Sequence, residues 1–171
     1  MPWILLAATL TLDQATKAIV VATLERGESA PEEGFFRLTH AWNTGTAFSL
    51  LQDQGGLLTF VSFAAVIALY FVYRTLESPT IWVRMAFGLL LGGAFGNLID
   101  RIRLGHVTDF FDVGPWPIFN IADSSITVGI AVLFLFFWRN SNSESRKAEI
   151  GQAPPSDAAN SEDDGSPSGQ R

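Results

Sequence analysis

The segment "IWVRMAFGLLLGGAFGNLID" at residues 81–100 has the length and the apolar character of a membrane-spanning helix. A helix needs about 20 mostly apolar residues to cross the hydrocarbon core of a bilayer. Gly88, Gly92 and Gly96 recur every four residues in it, which is the spacing that lets membrane helices pack closely. The segment closes on Asp100, and an acid at the end of a closely packed apolar helix needs a physical explanation.

Three other stretches have a similar length and are equally apolar, so the sequence predicts an all-α membrane protein. The chain has 171 residues, of which 48% are hydrophobic, and its mean hydropathy is +0.25. The first apolar stretch lacks a basic start and contains Asp13 and Lys17, which argues against a cleaved secretory signal. The four predicted transmembrane helices occupy residues 2–24, 57–73, 81–100 and 118–138, in one domain over residues 1–140.

The two longer predicted loops, 25–56 and 101–117, carry different local patterns. In the first, "FFRLTHAWN" is rich in aromatic and β-branched residues and predicts a strand, whereas "AFSLL" after it predicts a short surface helix. The second is interrupted by glycine and proline, including Pro115 and Pro117, and predicts an extended chain. With four spans, both loops lie on the same face of the membrane, whichever way the protein is inserted.

The C-terminal segment 141–171 is rich in Ser, Pro, Gly and acidic residues and has little to bury, which predicts a disordered acidic tail. The net charge of -6 comes mostly from this tail and from the loops, so no nucleic-acid role is expected. The absence of cysteine excludes disulfide frameworks, thiolate nucleophiles and Cys-ligated metal sites.

Asp13 and Lys17 place two charges in the first predicted helix. A charge near the bilayer centre costs at least about 2.5–3.5 kcal/mol, so each such residue needs a role. Their i, i+4 spacing favours an ion pair within the helix. The sequence leaves two interpretations equally open: a buried pair that fixes helix packing, or a direct role in a functional site.

Asp100 ends the third predicted helix and Asp123 lies in the opening turn of the fourth, so the two face each other if these helices are neighbours. Gly93, Asn97 and Asp100 fall on one side of the third helix, so its closely packed surface leads to a polar end. Asp100 is either a helix-end residue that reaches water or part of a site, and Asp123 is either a first-turn acid that complements the helix dipole or part of the same site. Since both helix ends share one face, the two carboxylates form a candidate acid/base dyad.

A dyad of aspartates activates water when one carboxylate is ionised and the other holds a proton, and closely spaced like charges make the two groups share that proton. The helix dipole disfavours a carboxylate at a C-terminus and favours one at an N-terminus. We therefore expect Asp100 to hold the proton and Asp123 to be the ionised base, with no metal and no cofactor.

Other chemistries have weaker support in the sequence. The two histidines, His40 and His106, are isolated in loops and form no metal-binding motif. A dyad of Lys17 with Ser124 or Ser125 is possible, but nothing in the spacing favours it. An ion-coupled carrier also needs buried acids near glycine-broken helices and is the non-enzyme alternative.

Five motifs occur in order on these spans: "DQATK" at 13–17, "NTGTAF" at 43–48, "GGAFGNLIDR" at 92–101, "VTDFFD" at 107–112 and "FNIADS" at 119–124. Together they resemble the lipoprotein signal peptidases, the signal peptidase II family of bacterial membrane aspartic peptidases. The resemblance implies four transmembrane helices with a small β-rich extracytoplasmic cradle formed by the loops. It also implies a monomer in the bacterial cytoplasmic membrane, with both termini cytoplasmic and the active site near the outer face.

The implied reaction is removal of the signal peptide from prolipoproteins, on the N-terminal side of a diacylglyceryl-modified cysteine and in contact with membrane lipids. The resemblance matches Asp100 and Asp123 to the catalytic aspartates, and Arg101 is expected to contact substrate carbonyls or lipid headgroups. Other residues expected to bind substrate or support the site are Asn43, Gly45, Asn97, Asn120, Ala122, Asp13, Lys17 and Gly93. Aromatic residues expected to line the cleft or to anchor the loops in the interface are Trp42, Phe48, Phe110, Phe111 and Trp116.

Overall fold

The computed structural model describes residues 1–45 and 55–151, in which four long helices accompany a small sheet. The chain forms two compact units, Met1–Phe136 and Phe137–Arg171. In chain order the elements are α1 (Pro2–Thr23), β1 (Ser29–Ala30), β2 (Phe36–Asn43), α2 (Gly55–Thr75), α3 (Ile81–Leu104), β3 (Val107–Val113) and α4 (Ile121–Gly151).

The four predicted membrane helices are confirmed, although α2, α3 and α4 end later than predicted. Each has a stretch long and apolar enough to cross a bilayer. α3 continues to Leu104 and ends at Gly105, whose φ of 75° is the left-handed conformation that terminates helices. α4 begins at Ile121 and continues to Gly151, because the residues that follow the apolar stretch include good helix formers such as Glu, Arg, Lys and Ala. The first residues of the predicted tail are therefore helical, and the rest, 152–171, lies outside the described residues.

α3 packs closely against α1 through its glycine stripe. A methyl group added at Gly88 would lie 2.8 Å from the carbonyl oxygen of Pro2, and one added at Gly92 would lie 2.8 Å from Cβ of Thr9. The predicted close approach is confirmed, because only a hydrogen side chain fits at these points. The contacts advance along both helices together, so α1 and α3 run in the same direction.

α4 packs on a second face of α3 and runs in the opposite direction. Gly93 of α3 lies against the backbone of Ala122, whereas Gly129 of α4 lies against Leu90, earlier in α3. α2 is much less enclosed, with 6% of its apolar stretch buried. Most of α2 is therefore available to lipid, whereas α3 is the packed centre of the helical part.

The sheet is antiparallel and has the strand order β1-β2-β3. The strand predicted for "FFRLTHAWN" is β2, and the segment predicted to be extended contains β3. The register of the pairing shifts between Leu38 and Ala41, so the consecutive residues Thr39 and His40 are both buried. β1 was not predicted, because a strand of two residues is too short to show an alternation of apolar and polar side chains. The surface helix predicted for "AFSLL" lies outside the described residues.

β3 lies at the end of the helices where α3 ends and α4 begins. The N–H of Thr108 in β3 donates to Asp100 Oδ2 of α3 at 3.1 Å. Phe111 of β3 pairs with Phe119, which lies just before α4. The predicted arrangement, in which the loops, the end of the third helix and the start of the fourth share one face, is therefore confirmed.

Candidate active site

A buried ion-paired group lies where α1 meets α3, and we name Asp13, Lys17 and Asp100 the Lys17 triad. Lys17 Nζ lies 2.9 Å from Asp13 Oδ2 and 2.9 Å from Asp100 Oδ2. All three side chains are buried, and Gln14 Nε2 adds a hydrogen bond of 3.1 Å to Asp100 Oδ1. The i, i+4 ion pair predicted within α1 is confirmed, and it extends to an acid of α3.

The Lys17 triad also supports the first turn of α4. Asp13 Oδ1 accepts the N–H of Ala122 at 2.9 Å. Lys17 Nζ makes its third contact with Asn97 Oδ1, at 3.1 Å. An ammonium group has three donors, and all three of them are used here. Asp13 and Lys17 thus hold α1, α3 and α4 in one register, which is the packing role left open by the sequence.

Asp123 and Asn120 cap each other at the start of α4. Asn120 Oδ1 accepts the N–H of Asp123 at 2.9 Å, and Asp123 Oδ2 accepts the N–H of Asn120 at 3.3 Å, as in a capping box. The other carboxylate oxygen of Asp123 accepts from Asn97 Nδ2 at 2.8 Å. Asp123 is only partly buried, so the capping role fixes its position and leaves it accessible.

Asn97 connects the Lys17 triad to Asp123. Its Oδ1 accepts from Lys17 and from Asn120 Nδ2, both at 3.1 Å, while its Nδ2 donates to Asp123. The structure therefore places Asp100 and Asp123 in one network. In the described residues they are joined through two intermediate side chains and not by a hydrogen bond between the carboxylates.

A third acid, Asp109 of β3, belongs to the same site and was not selected from the sequence. It is 2% exposed. Its Oδ1 accepts from Asn120 Nδ2 at 2.6 Å and its Oδ2 from Asn43 Nδ2 at 2.9 Å. The pKa of Asp109 is raised to about 6, chiefly by burial and also by the charge of Asp123, whereas the hydrogen bonds from Asn43 and Asn120 and the charge of Lys17 act in the opposite direction. Asp109 is therefore able to exchange a proton near neutral pH.

The signal for Asp109 was the presence of two acids in the short strand β3. The strand is buried on both faces, so each acid needs partners inside the protein. Asp112 forms an ion pair with Arg37 at 2.6 Å and accepts from Thr39 Oγ1 at 2.9 Å. The hydrogen-bond partners of Asp109 in the described chain are two amides. No sequence pattern shows which of the two acids faces a cation.

The remaining predicted site residues surround this network. Asn43 Oδ1 accepts the N–H of Gly45 at 2.9 Å, and Gly45 has a φ of 80°, a conformation that favours glycine. Arg101 is half-buried, and its charge interacts with those of the three acids of the site. Ala122 and Gly93 form the close contact between α4 and α3.

Among the described residues, the predicted aromatic side chains are either packed inside the protein or exposed. Phe110 is 2% exposed, so it is a core residue and the prediction that it lines the cleft or anchors the loops is wrong. Phe111 packs against Phe119, with ring centroids 5.5 Å apart. Trp42 and Trp116 are exposed and remain candidates for interfacial contact. Phe48 lies outside the described residues.

Comparison with known proteins identifies the family of this fold and site. The sequence profile of the family described as Signal peptidase (SPase) II matches residues 5–139. The chain belongs to the signal peptidase II family. A lipoprotein signal peptidase of Dehalococcoides mccartyi is 44% identical over 137 residues, which are 77% of this chain and 84% of the relative. A lipoprotein signal peptidase of Azoarcus sp. is 40% identical over 166 residues, which are 91% of this chain and 92% of the relative.

Two solved structures of bacterial membrane enzymes share the fold. The first has a TM-score of 0.74 and 30% sequence identity, over 83% of this chain and 90% of its own. The second has a TM-score of 0.73 and 31% identity, over 80% and 91%. As a member of the signal peptidase II family the protein is a peptidase, and its four apolar helices make it a multi-pass membrane protein. The family and the fold class predicted from the motifs are both confirmed.

Proposed function

We propose that this protein removes the signal peptide from bacterial prolipoproteins, cutting on the N-terminal side of a diacylglyceryl-modified cysteine. The names of its relatives support this substrate class. One observation supports the chemistry above all: Asp109 and Asp123 both bind Asn120, and the charge of Asp123 acts on Asp109. We propose that these two carboxylates activate water as an aspartic dyad, with no metal or cofactor.

The counter-charges favour Asp109 over Asp100 as the partner of Asp123. The sequence predicted Asp100, but the ammonium of Lys17 lies 2.9 Å from that carboxylate, and such a pair serves to hold α1 and α3 together. Asp109 has amide partners, a pKa of about 6 and a second acid beside it. We therefore assign the shared proton to Asp109 instead of Asp100, and Asp123 keeps its predicted role as the ionised base.

In the proposed reaction Asp123 takes a proton from water while the water oxygen attacks the scissile carbonyl carbon. Asp109 gives its proton to the carbonyl oxygen, which produces a neutral tetrahedral diol. When the diol collapses, the C–N bond breaks, Asp123 gives its proton to the leaving nitrogen, and a diol hydroxyl returns a proton to Asp109. The products are the carboxyl end of the signal peptide and the free amino group of the lipidated cysteine.

Substrate contacts are proposed for the polar residues around the dyad. Arg101 is half-buried and forms no ion pair with any acid of the described chain, so its donors are available for substrate carbonyl or lipid headgroup oxygens. Asn43 and Gly45 line the end of β2 next to Asp109. The Lys17 triad and Asn97 are proposed to act one contact away, by fixing the position of Asp123.

The proposed location is the outer face of the bacterial cytoplasmic membrane, with both termini in the cytoplasm. A diacylglyceryl-cysteine keeps its acyl chains in the bilayer, so the bond to be cut stays close to the membrane surface. The dyad lies at the polar end of apolar helices, where such a bond is within reach, and the exposed Trp42 and Trp116 suit contact with membrane lipids. A monomer is sufficient, because one chain supplies both carboxylates.

The contacts do not favour the Ser/Lys alternative. The three donors of Lys17 are already taken by Asp13, Asp100 and Asn97. The hydroxyls of Ser124 and Ser125 donate to backbone carbonyls of α4 and its cap, at 3.0 and 2.8 Å. Family membership likewise favours a peptidase over an ion-coupled carrier.

The test is cleavage of a diacylglyceryl-modified prolipoprotein in membranes that contain the full-length protein. Asp123→Asn keeps the size of the side chain but removes the base, so cleavage is expected to fall by about 10²–10⁴-fold. Asp112→Asn is the matched control, since that acid lies in the same sheet but pairs with Arg37, and it is expected to retain cleavage. Full processing by Asp123→Asn would refute the dyad, and no processing by the unmodified protein would refute the substrate class.

A further inference from the structure

Four side chains meet beside the end of β2, and we name Arg26, His40, Trp42 and His106 the Trp42 cluster. The ring of Trp42 stacks on that of His106, with centroids 4.2 Å apart and planes 21° from parallel. The guanidinium carbon of Arg26 lies 3.9 Å from the centroid of the Trp42 ring. His40 is buried and accepts a hydrogen bond from Trp42 Nε1 at its Nε2, at 3.2 Å. The cluster joins the turn after α1, the strand β2 and the residue before β3.

The contacts of His40 determine its protonation state. Its Nδ1 lies 2.9 Å from the carbonyl oxygen of Leu24, and a carbonyl accepts only, so Nδ1 carries a hydrogen. The indole of Trp42 donates only, so His40 Nε2 carries none. These two contacts require the neutral imidazole with its hydrogen on Nδ1, a tautomer assigned from the hydrogen-bond network.

A second proton on His40 is incompatible with these two hydrogen bonds. It would set the N–H of His40 against the N–H of Trp42 and would replace a hydrogen bond by a repulsion. The two side chains on the Trp42 ring, Arg26 and His106, supply no negative charge to balance a second proton. The carboxylate of Glu28 is engaged with the N–H of Glu25 at 2.6 Å and does not bind the ring of His40.

His106 is affected by the same neighbouring side chains. Burial lowers the pKa of His106, and the charges of Arg26 and His40 lower it too, whereas the Leu104 carbonyl and Asp100 act in the opposite direction. Two histidines and an arginine thus lie close together around Trp42. The positive charges of Arg26 and of protonated His40 oppose protonation of His106.

We propose that neutral His40 holds Trp42 in place and that protonation of His40 releases it, so that the Trp42 cluster is an acid-sensitive latch on β2. The next residue, Asn43, donates to Asp109 at 2.9 Å, so the release loosens a contact of the dyad. His40 is thus a positioning residue that acts through Trp42 and Asn43. Its effect on cleavage rests on the function proposed above, whereas the latch itself does not.

The latch is tested by NMR on the full-length protein, labelled with ¹⁵N at tryptophan and histidine and titrated from pH 8 to pH 5, where histidines change charge. The chain has 5 tryptophans, and Trp42→Phe identifies the indole signal of Trp42. The chain has 2 histidines, so His106→Phe leaves His40 alone and keeps a ring to stack on Trp42. At pH 8, His40 is expected to be neutral with its hydrogen on Nδ1, and its titration and the shift of the Trp42 indole signal are expected to share one midpoint.

His40→Gln is the non-titrating variant, because a glutamine amide offers both a donor and an acceptor at all these pH values. In it the Trp42 indole signal is expected to stay constant. A Trp42 signal that does not follow His40, or a hydrogen on Nε2 of His40 at pH 8, would overturn the latch even if His40→Gln does not fold. Because the dyad itself responds to pH, cleavage is compared between the two proteins: the ratio of cleavage by the unmodified protein to cleavage by His40→Gln is expected to fall on acidification. If no variant cleaves but the two signals titrate together, the latch stands and the proposed function fails.

Discussion

The Lys17 triad and the Asp109–Asp123 pair lie at the same end of α3, yet their carboxylates differ in counter-charge. Asp13 and Asp100 share a buried ammonium at 2.9 Å. Asp109 and Asp123 are bound by three asparagine side-chain amides and by the backbone N–H of Asn120. An ion pair between a carboxylate and a buried ammonium stabilises packing, whereas two neighbouring carboxylates that form no ion pair share a proton. We infer that the first group builds the site and the second performs the chemistry.

The different roles of the two groups are tested most directly by neutralising one acid of each. Asp109→Asn is expected to reduce prolipoprotein cleavage by about 10²–10⁴-fold, because it removes the proton donor. Asp100→Asn is expected to lower the thermal stability more than the turnover number, since it removes half of a buried ion pair. Cleavage rates and melting temperatures of the two variants, measured in the same detergent, distinguish the catalytic acid from the structural one. If Asp100→Asn is the more inactive folded variant, the sequence-based dyad of Asp100 and Asp123 is the correct one.

Removing the ammonium tests the structural half of the comparison. Lys17→Met leaves two buried acids without a cation, and breaking a buried ion pair in this way costs about 3–5 kcal/mol of unfolding free energy. Arg37→Met is the comparison variant: 31% of the Arg37 side chain is accessible and Asp112 keeps its hydrogen bond from Thr39, so a smaller loss of unfolding free energy is expected. Thermal unfolding in detergent measures both. Equal losses would show that the Lys17 triad is no more important for stability than a peripheral pair.

The contact between α3 and α4 at Gly93 and Ala122 lies next to Asp123 and does not involve its charge. Gly93→Ala would press a methyl group against the backbone of Ala122 and against Ile126, and overpacking of this kind costs about 1–3 kcal/mol. Gly56→Ala is the control, because a methyl group there meets nothing within 4 Å. We expect slower cleavage and a lower melting temperature for Gly93→Ala alone. Unchanged cleavage in that variant would mean that Asp123 is positioned by its cap and not by the packing of the helices.

The dependence of kcat/KM on pH sharpens the assignment of the proton. The pKa of Asp109 is raised to about 6, so as a proton donor it is charged and inactive above that pH. On the alkaline side kcat/KM is therefore expected to fall about tenfold per pH unit. The measured midpoint belongs to the coupled pair and not to one residue. A rise of kcat/KM through the same pH range would show that Asp109 is the base and that the two roles are reversed.

The membrane helices, the strand β2 and the shared face of the loops were predictable from the sequence, because hydrophobic length and residue pattern depend on neighbours along the chain. The glycine spacing at Gly88 and Gly92 likewise predicted a close approach that the structure confirms. The extension of α3 to Leu104 was missed, since the helix leaves the apolar segment before Gly105 ends it. The burial of His40 was also missed, because a register shift in β2 interrupts the alternation of a strand.

The sequence by itself determined that this chain crosses a membrane four times and delivers acids to one face, and its motifs determined the family. Only the tertiary structure decided which acids lie next to which cations. Asp100 and Asp109 are both buried acids near the end of α3, and nothing along the chain tells them apart. Lys17 is distant from Asp100 in sequence and close to it in space, and the electrostatic energy of a carboxylate depends on spatial distance. For that reason the helix of "GGAFGNLID" was predictable from the sequence, whereas the charges that surround its final aspartate were not.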